Sequence, residues 1–180
     1  MSEDGERNTF SEGERYLNEV NDRSVFGALH GGNKVILGIR RAHFARAGDE
    51  HGIYPDRFMV LWYEGSVGLA KSFAGNTDSS AGDGRRDPGR KPAGVFLYRK
   101  EVPGSRDDRV LRRVKSLDEQ ESASAANGGD VMTARNALFR AGPPGRRGSA
   151  GGPALDPDLY DRFWETLGDQ DDFIYVCVEE

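Results

Sequence analysis

Residues 138–178 read LFRAGPPGRRGSAGGPALDPDLYDRFWETLGDQDDFIYVCV, a glycine-rich loop running into a helix and then into an apolar strand. The helix carries its own punctuation. Asp156 stands as the N-cap, where its carboxylate can accept from the first free N–H groups, and Pro157 takes the first helical position, where no N–H is needed. Asp158 meets the positive end of the helix dipole, and Gly168 is placed to terminate. Tyr160, Phe163, Trp164 and Leu167 recur at i, i+3, i+4 and i+7, an apolar stripe that needs a sheet to bury it. Residues 173–178 are apolar on both faces, the pattern of an interior strand.

Upstream of this segment the periodicity is two rather than 3.6. Lys34 to Arg40 (KVILGIR) follows the turn residues Gly31-Gly32-Asn33 and reads as a strand. Arg57 to Tyr63 (RFMVLWY) suits a central strand. Ser66 to Phe73 alternates Val67, Leu69 and Phe73 against Ser66, Gly68, Ala70 and Ser72, with Glu64-Gly65 making a tight hairpin between the two. Residues 74–92 lack large apolar groups and read as a surface loop. Gly94 to Arg99 is a further strand, and Asp108 to Lys115, with alternating basic residues, fits a sheet edge. Residues 116–129 read as loop, and 131–141 as one or two short strands. Strands in meander with one late helix define a β-rich α+β fold: a mixed or antiparallel sheet or partial barrel under one covering C-terminal helix. Residues 1–11 are polar and aperiodic and are expected to be disordered. A short helix is expected from Ser11-Glu12-Gly13-Glu14, and residues 12–180 form one domain.

At 180 residues the chain is the size of one domain, and with 36% hydrophobic residues and 24 glycines it has a modest core and long polar loops. Its lone cysteine, Cys177, excludes an internal disulfide and any multi-cysteine zinc site. The acidic, polar start MSEDGERNTF is unlike a secretory signal, and no apolar run reaches 18 residues, so a cytoplasmic location without membrane insertion is expected. Charge is unevenly spread. Residues 85–115 hold eleven Lys/Arg against four Asp/Glu, and residues 153–180 hold one against nine. Without interleaved aromatic residues the basic run reads as a solvated face that attracts the acidic end, and not as a nucleic-acid site.

The segment 138–178 resembles the active-site region of L,D-transpeptidase-like bacterial cell-wall enzymes, in which a strand-end His and, after a glycine-rich loop, a Ser-x-Gly-Cys supply base and nucleophile. Further pieces in the same order are Gly38-Ile39-Arg40, Val60-Leu61-Trp62, Phe73-Ala74-Gly75-Asn76-Thr77, Gly82-Asp83-Gly84 and Pro92-Ala93-Gly94. The resemblance places Arg140 where the His belongs, and Ser149-Ala150-Gly151-Gly152 ends in glycine where the Cys belongs. Cysteine peptidyl transfer needs a thiolate, a base and oxyanion donors. Arginine accepts no proton near neutrality, so the resemblance implies a catalytically inactive relative serving as a binding or interaction module for a peptide, a cell-wall fragment or a protein partner.

Other chemistries compete with this one. Ser149 among flexible glycines is a substitute nucleophile for a hydrolase or transferase if His30, His43 or His51 reaches it, and otherwise a turn-capping serine. Arg140, Arg146 and Arg147 with Ser149 form a candidate grip for a carboxylate or phosphate, or else solubilise a loop. The basic middle and acidic end also allow a structural, self-assembling protein. Cys177 in an apolar strand reads as a small core hydrophobe. His43 and His51 with Asp49 and Glu50 match no metal spacing, and Asp78, Asp83 and Asp87 break the alternation of a calcium loop. No metal and no cofactor is expected.

Overall fold

In the computed structural model, residues 3–40, 56–77, 93–102, 109–114, 137–140 and 153–180 are described. Two helices come first, α1 (Glu3–Val20) and α2 (Arg23–His30). Among the described residues eight strands and one further helix follow: β1 (Val35–Arg40), β2 (Asp56–Glu64), β3 (Val67–Asn76), β4 (Gly94–Glu101), β5 (Val110–Arg113), β6 (Ala137–Arg140), β7 (Ala154–Leu155), α3 (Pro157–Leu167) and β8 (Asp172–Glu179). The strands close into a ring in the order β1-β2-β3-β7-β6-β5-β4-β8, with β8 returning to β1. Most neighbours are antiparallel, but β1 with β8 and β6 with β7 are parallel, so the barrel is mixed. The β-rich α+β architecture read from the sequence is the one found.

Alternation along the strands divides the apolar residues into two cores. Ile36, Phe58, Val60, Phe73, Tyr98, Leu111, Phe173, Tyr175 and Cys177 face inward, where Tyr160, Phe163 and Leu167 of α3 join them. Val35, Leu37, Ile39, Met59, Leu61, Ala70, Val176 and Val178 face outward and are covered by Phe10, Tyr16 and Leu17 of α1 and Val25 and Leu29 of α2. Among the described residues, α3 is the C-terminal helix that the sequence indicated and packs on the inner core, while α1, of which a short part was expected, and α2 cover the outer face.

The caps of α3 are those read from the sequence: Asp156 accepts from the Asp158 N–H at 2.9 Å, Pro157 opens the helix, and Gly168 ends it. Its stripe is narrower than expected. Tyr160, Phe163 and Leu167 are buried, whereas Trp164 is partly buried at the rim of the inner core. There Lys100 from β4 lies 5.2 Å from the Trp164 ring and donates to the Gly168 carbonyl, while Lys34 donates to the Thr166 carbonyl at 2.5 Å. Two lysines therefore satisfy carbonyls left over at the negative end of the helix.

The N-terminal expectation is corrected. The helix starts at Glu3, so residues 3–11 continue it instead of preceding it, and Phe10 is only 5% exposed, its ring 5.1 Å from that of Tyr63. Glu12 pairs with Arg57 at 2.5 Å, and the Tyr16 hydroxyl donates to Glu180 at 3.2 Å. The helix tolerates Gly13 because of how closely it packs: a Cβ there would sit 2.6 Å from Leu61 Cδ2. β5 is likewise corrected from an edge to an interior strand, paired with β4 on one side and β6 on the other. Basic residues of β5 and its neighbours are paired with carboxylates. Arg112 pairs with Glu101 at 2.7 Å, Arg99 of β4 with Asp172 at 2.7 Å, and Arg109 with Asp161 of α3. The basic middle and the acidic end of the sequence therefore meet within one copy of the chain.

Candidate functional site

Helix α3 runs from Asp156, whose N–H bonds the Ala74 carbonyl near the end of β3, to Thr166, whose carbonyl accepts from Lys34 before the start of β1; polar groups collect where β1 finishes. The inward row of β1 runs Ile36, Gly38, Arg40; that of β8 runs Phe173, Tyr175, Cys177, Glu179. Parallel register sets Arg40 beside Glu179, and Arg40 Nη1 donates to its carboxylate at 3.1 Å. Arg40 is 1% exposed, so its charge is acceptable only because partners surround it. A second of these is Thr77 Oγ1, which accepts from Arg40 Nε at 3.2 Å. Thr77 in turn donates twice to Asp56, from its backbone N–H at 2.7 Å and from its hydroxyl at 2.5 Å. The chain Glu179, Arg40, Thr77, Asp56 thus ties together the ends of β8, β1, β3 and β2.

Deeper in, Thr77, Phe96, Tyr98, Arg113, Pro153, Tyr175 and Cys177 line a small cavity. Gly38 lets Tyr175 lie so deep, since any Cβ there would collide with the phenol. The Tyr175 ring stacks between Phe58 and Phe96, each 6.2 Å away, and meets Tyr98 edge-on at 5.3 Å. Burial pushes the Tyr175 phenol well above the ordinary 10, and the neighbouring Cys177 and Tyr98 add to the shift. Burial raises Tyr98 in the same way, against a smaller opposing pull from Arg113.

These two phenols predict alkaline instability. Below the unfolded value of about 10 both states keep the proton and nothing changes. Above it the unfolded chain releases protons that the folded chain retains, so stability falls by about 1.4 kcal/mol per pH unit for each phenol until its folded pKa is passed. Denaturant unfolding of the native chain and of Tyr98→Phe and Tyr175→Phe above pH 10 checks this. Each replacement removes one share of the slope, and a slope unaltered in both variants overturns the assignment.

Of the residues singled out in the sequence, Arg140 lies on β6, its backbone opposite Leu155 and thus next to the Asp156 cap. Arg146, Arg147, Ser149 and Gly152 lie outside the described residues, as do His43, Asp49, Glu50, His51, Asp78, Asp83 and Asp87. His30 ends α2 on the outside of the barrel, stacked on Tyr63 with centroids 5.5 Å apart. Cys177 is buried on the inside, as its apolar strand indicated. Among the described residues no three His, Cys, Asp or Glu side chains converge as metal ligands, and no helix is long and apolar enough to cross a membrane.

The sequence reading passed over Asp56 and Tyr175, and named Arg40 and Thr77 only as parts of longer motifs, with no role of their own. The available signal was Arg40, a charge closing the inward row of an otherwise apolar strand. Compared with known proteins, the chain matches no family model, no curated protein and no solved structure.

Proposed function

We propose that the chain is a catalytically inactive, L,D-transpeptidase-like binding module for a peptide, a cell-wall fragment or a protein partner. One observation carries this reading: the chain's single thiol is walled into the barrel core at 2% exposure, while the described histidine stands on the opposite face of the sheet. Cysteine acyl transfer requires an accessible thiolate within reach of a base. The Gly-rich loop, capped helix and interior strand keep the order of such enzymes. Where the resemblance puts base and nucleophile, this chain has Arg140 and Gly152, which supply neither.

Purified protein mixed with peptidoglycan sacculi and with soluble stem-peptide fragments tests both halves of the proposal. The expected result is co-sedimentation or saturable fragment binding, with every fragment mass unchanged. Cross-linked or hydrolysed products overturn the inactive half, and loss of that turnover in Ser149→Ala would assign it to the non-cysteine site. Absence of binding to either material overturns the cell-wall ligand.

A further inference from the structure

We propose that the cleft between β3 and the C-terminal half of α3 binds a small zwitterion, an α-amino acid held by both of its charges. The site goes beyond the binding-module reading and needs no cell-wall ligand. Its walls are Lys71, Ser72 and Phe73 of β3 and Arg162, Glu165 and Thr166 of α3, and they leave about 170 Å³ free. These walls are set before any ligand arrives, because the Asp156 N–H bonds the Ala74 carbonyl at one end of the helix and Lys34 bonds the Thr166 carbonyl at the other. Between those ties Phe73 packs edge-on against Phe163, with centroids 5.3 Å apart.

Charge sets the class of ligand. Arg162 and Glu165 stand one turn apart on α3, a spacing at which opposite charges commonly pair with each other. Here they do not: both line the cleft, and among the described residues neither side chain has an ion-pair or hydrogen-bond partner. Lys71 has partners of its own, the Trp62 ring 5.9 Å from its ammonium among them, so it contributes charge and is not counted as a donor. That charge is felt nearby: burial first, and the Lys71 ammonium next, lower the pKa of Lys34. A plain anion in the cleft would meet the Glu165 carboxylate, and a plain cation would meet Arg162 and Lys71. A molecule carrying both charges suits both, and the repulsion of the other two classes gives the site its specificity.

Size narrows the class further. A cavity of about 150 Å³ holds a benzene, so this cleft takes a ligand of about that bulk, with its two charges close together. An α-amino acid meets both conditions. Its planar carboxylate matches the fork of the Arg162 guanidinium, its ammonium pairs with Glu165, and its side chain rests on Phe73. Phe73 is 4% exposed and gives the cleft an apolar floor. The Thr166 hydroxyl already donates to the Arg162 carbonyl at 2.7 Å, so of the two hydroxyls in the cleft Ser72 is the one with a proton for the carboxylate. Because Arg162 and Glu165 are exposed, the attachment is weak and reversible, with a dissociation constant of about 1 mM.

Titration of the full-length chain with alanine and leucine, and with N-acetylalanine and alanine amide, which each lack one charge, tests the site through the backbone amide resonances of Ser72, Phe73, Arg162 and Thr166. Saturable shifts are expected with both amino acids, and binding about tenfold weaker with either blocked compound. Arg162→Gln and Glu165→Gln alter exposed side chains that hold no other part of the described structure, so both variants fold. Each is expected to weaken alanine binding about tenfold, whereas Arg162→Gln does not weaken alanine amide and Glu165→Gln does not weaken N-acetylalanine. Shifts that never saturate, equal binding of blocked and free amino acids, or alanine binding untouched in either variant overturns the proposal. So does inorganic phosphate binding more tightly than alanine, which marks a plain anion site. Sacculus binding is scored separately: its absence removes the cell-wall ligand and leaves this site standing.

Discussion

Replacing Phe163 by alanine is expected to lower the unfolding free energy by about 3–5 kcal/mol. Phe163 is fully buried, meets Phe73 of β3 edge-on at 5.3 Å, and lies against Tyr160 one turn earlier at 6.4 Å. Removing the ring opens a void in the middle of the barrel, between a helix and a strand whose backbones are each held elsewhere, so the site cannot collapse to fill it. Asp156 N–H bonding the Ala74 carbonyl at 3.1 Å fixes one end of α3, and Lys34 fixes the other. Trp164→Ala is the comparison. It removes a larger ring from a position that stays partly open, so its cost is smaller although the residue is bigger. Urea unfolding followed by far-ultraviolet dichroism measures both, and a Trp164 loss exceeding that of Phe163 would contradict the inward placement of the stripe.

Asp56→Ala is expected to cost about 3 kcal/mol, because it leaves two donors of Thr77 buried without an acceptor. Asp56 is 5% and Thr77 1% exposed, so water does not readily replace the lost carboxylate. Asp56→Asn keeps the shape and one acceptor oxygen and is expected to lose about half as much, since hydrogen bonds to a charged acceptor are about twice as strong as neutral ones. Equilibrium unfolding of the two variants gives the comparison. Equal losses would show that charge matters little there, and a loss below about 0.5 kcal/mol for alanine would show that β2 and β3 are not tied at this end.

The parts of the fold that could be read in the sequence are those in which local chemistry and burial agree. Asp156, Pro157 and Gly168 set the limits of α3 by backbone requirements that hold in any context, and the alternation in Ser66 to Phe73 survives because one face of β3 meets α3 and the other meets α1. The start of α1 was hidden for the opposite reason. Its first turns, EDGERNTF, carry no apolar stripe, and Gly13 costs helix propensity that only the close contact with Leu61 justifies. β5 looked like an edge because Arg112 and Arg113 are charged, and its interior position depends on acidic and aromatic partners distant in sequence, Glu101 and Phe96. The polar end of the barrel was illegible by the same logic. Arg40, Asp56, Thr77 and Tyr175 follow one another at separations of 16, 21 and 98 positions in the chain, and no spacing rule joins them before the barrel does.

The place of β8 in the ring bears on how the chain is made. β8 pairs with β1 on one side and β4 on the other, and among the described residues it is the strand that lies between those two in the ring. During synthesis β1 can pair with β2 as soon as the latter emerges, but its other edge stays open until residues 172–179 leave the ribosome. At about 5–20 residues per second this is an interval of roughly 6 to 23 seconds. Throughout it the apolar run VILGI offers one unpaired edge to whatever nascent strand or chaperone lies nearby. The exposed stage of this protein's life is therefore the time before its last strand arrives, and the strand that ends it also carries Tyr175 and Cys177 into the barrel.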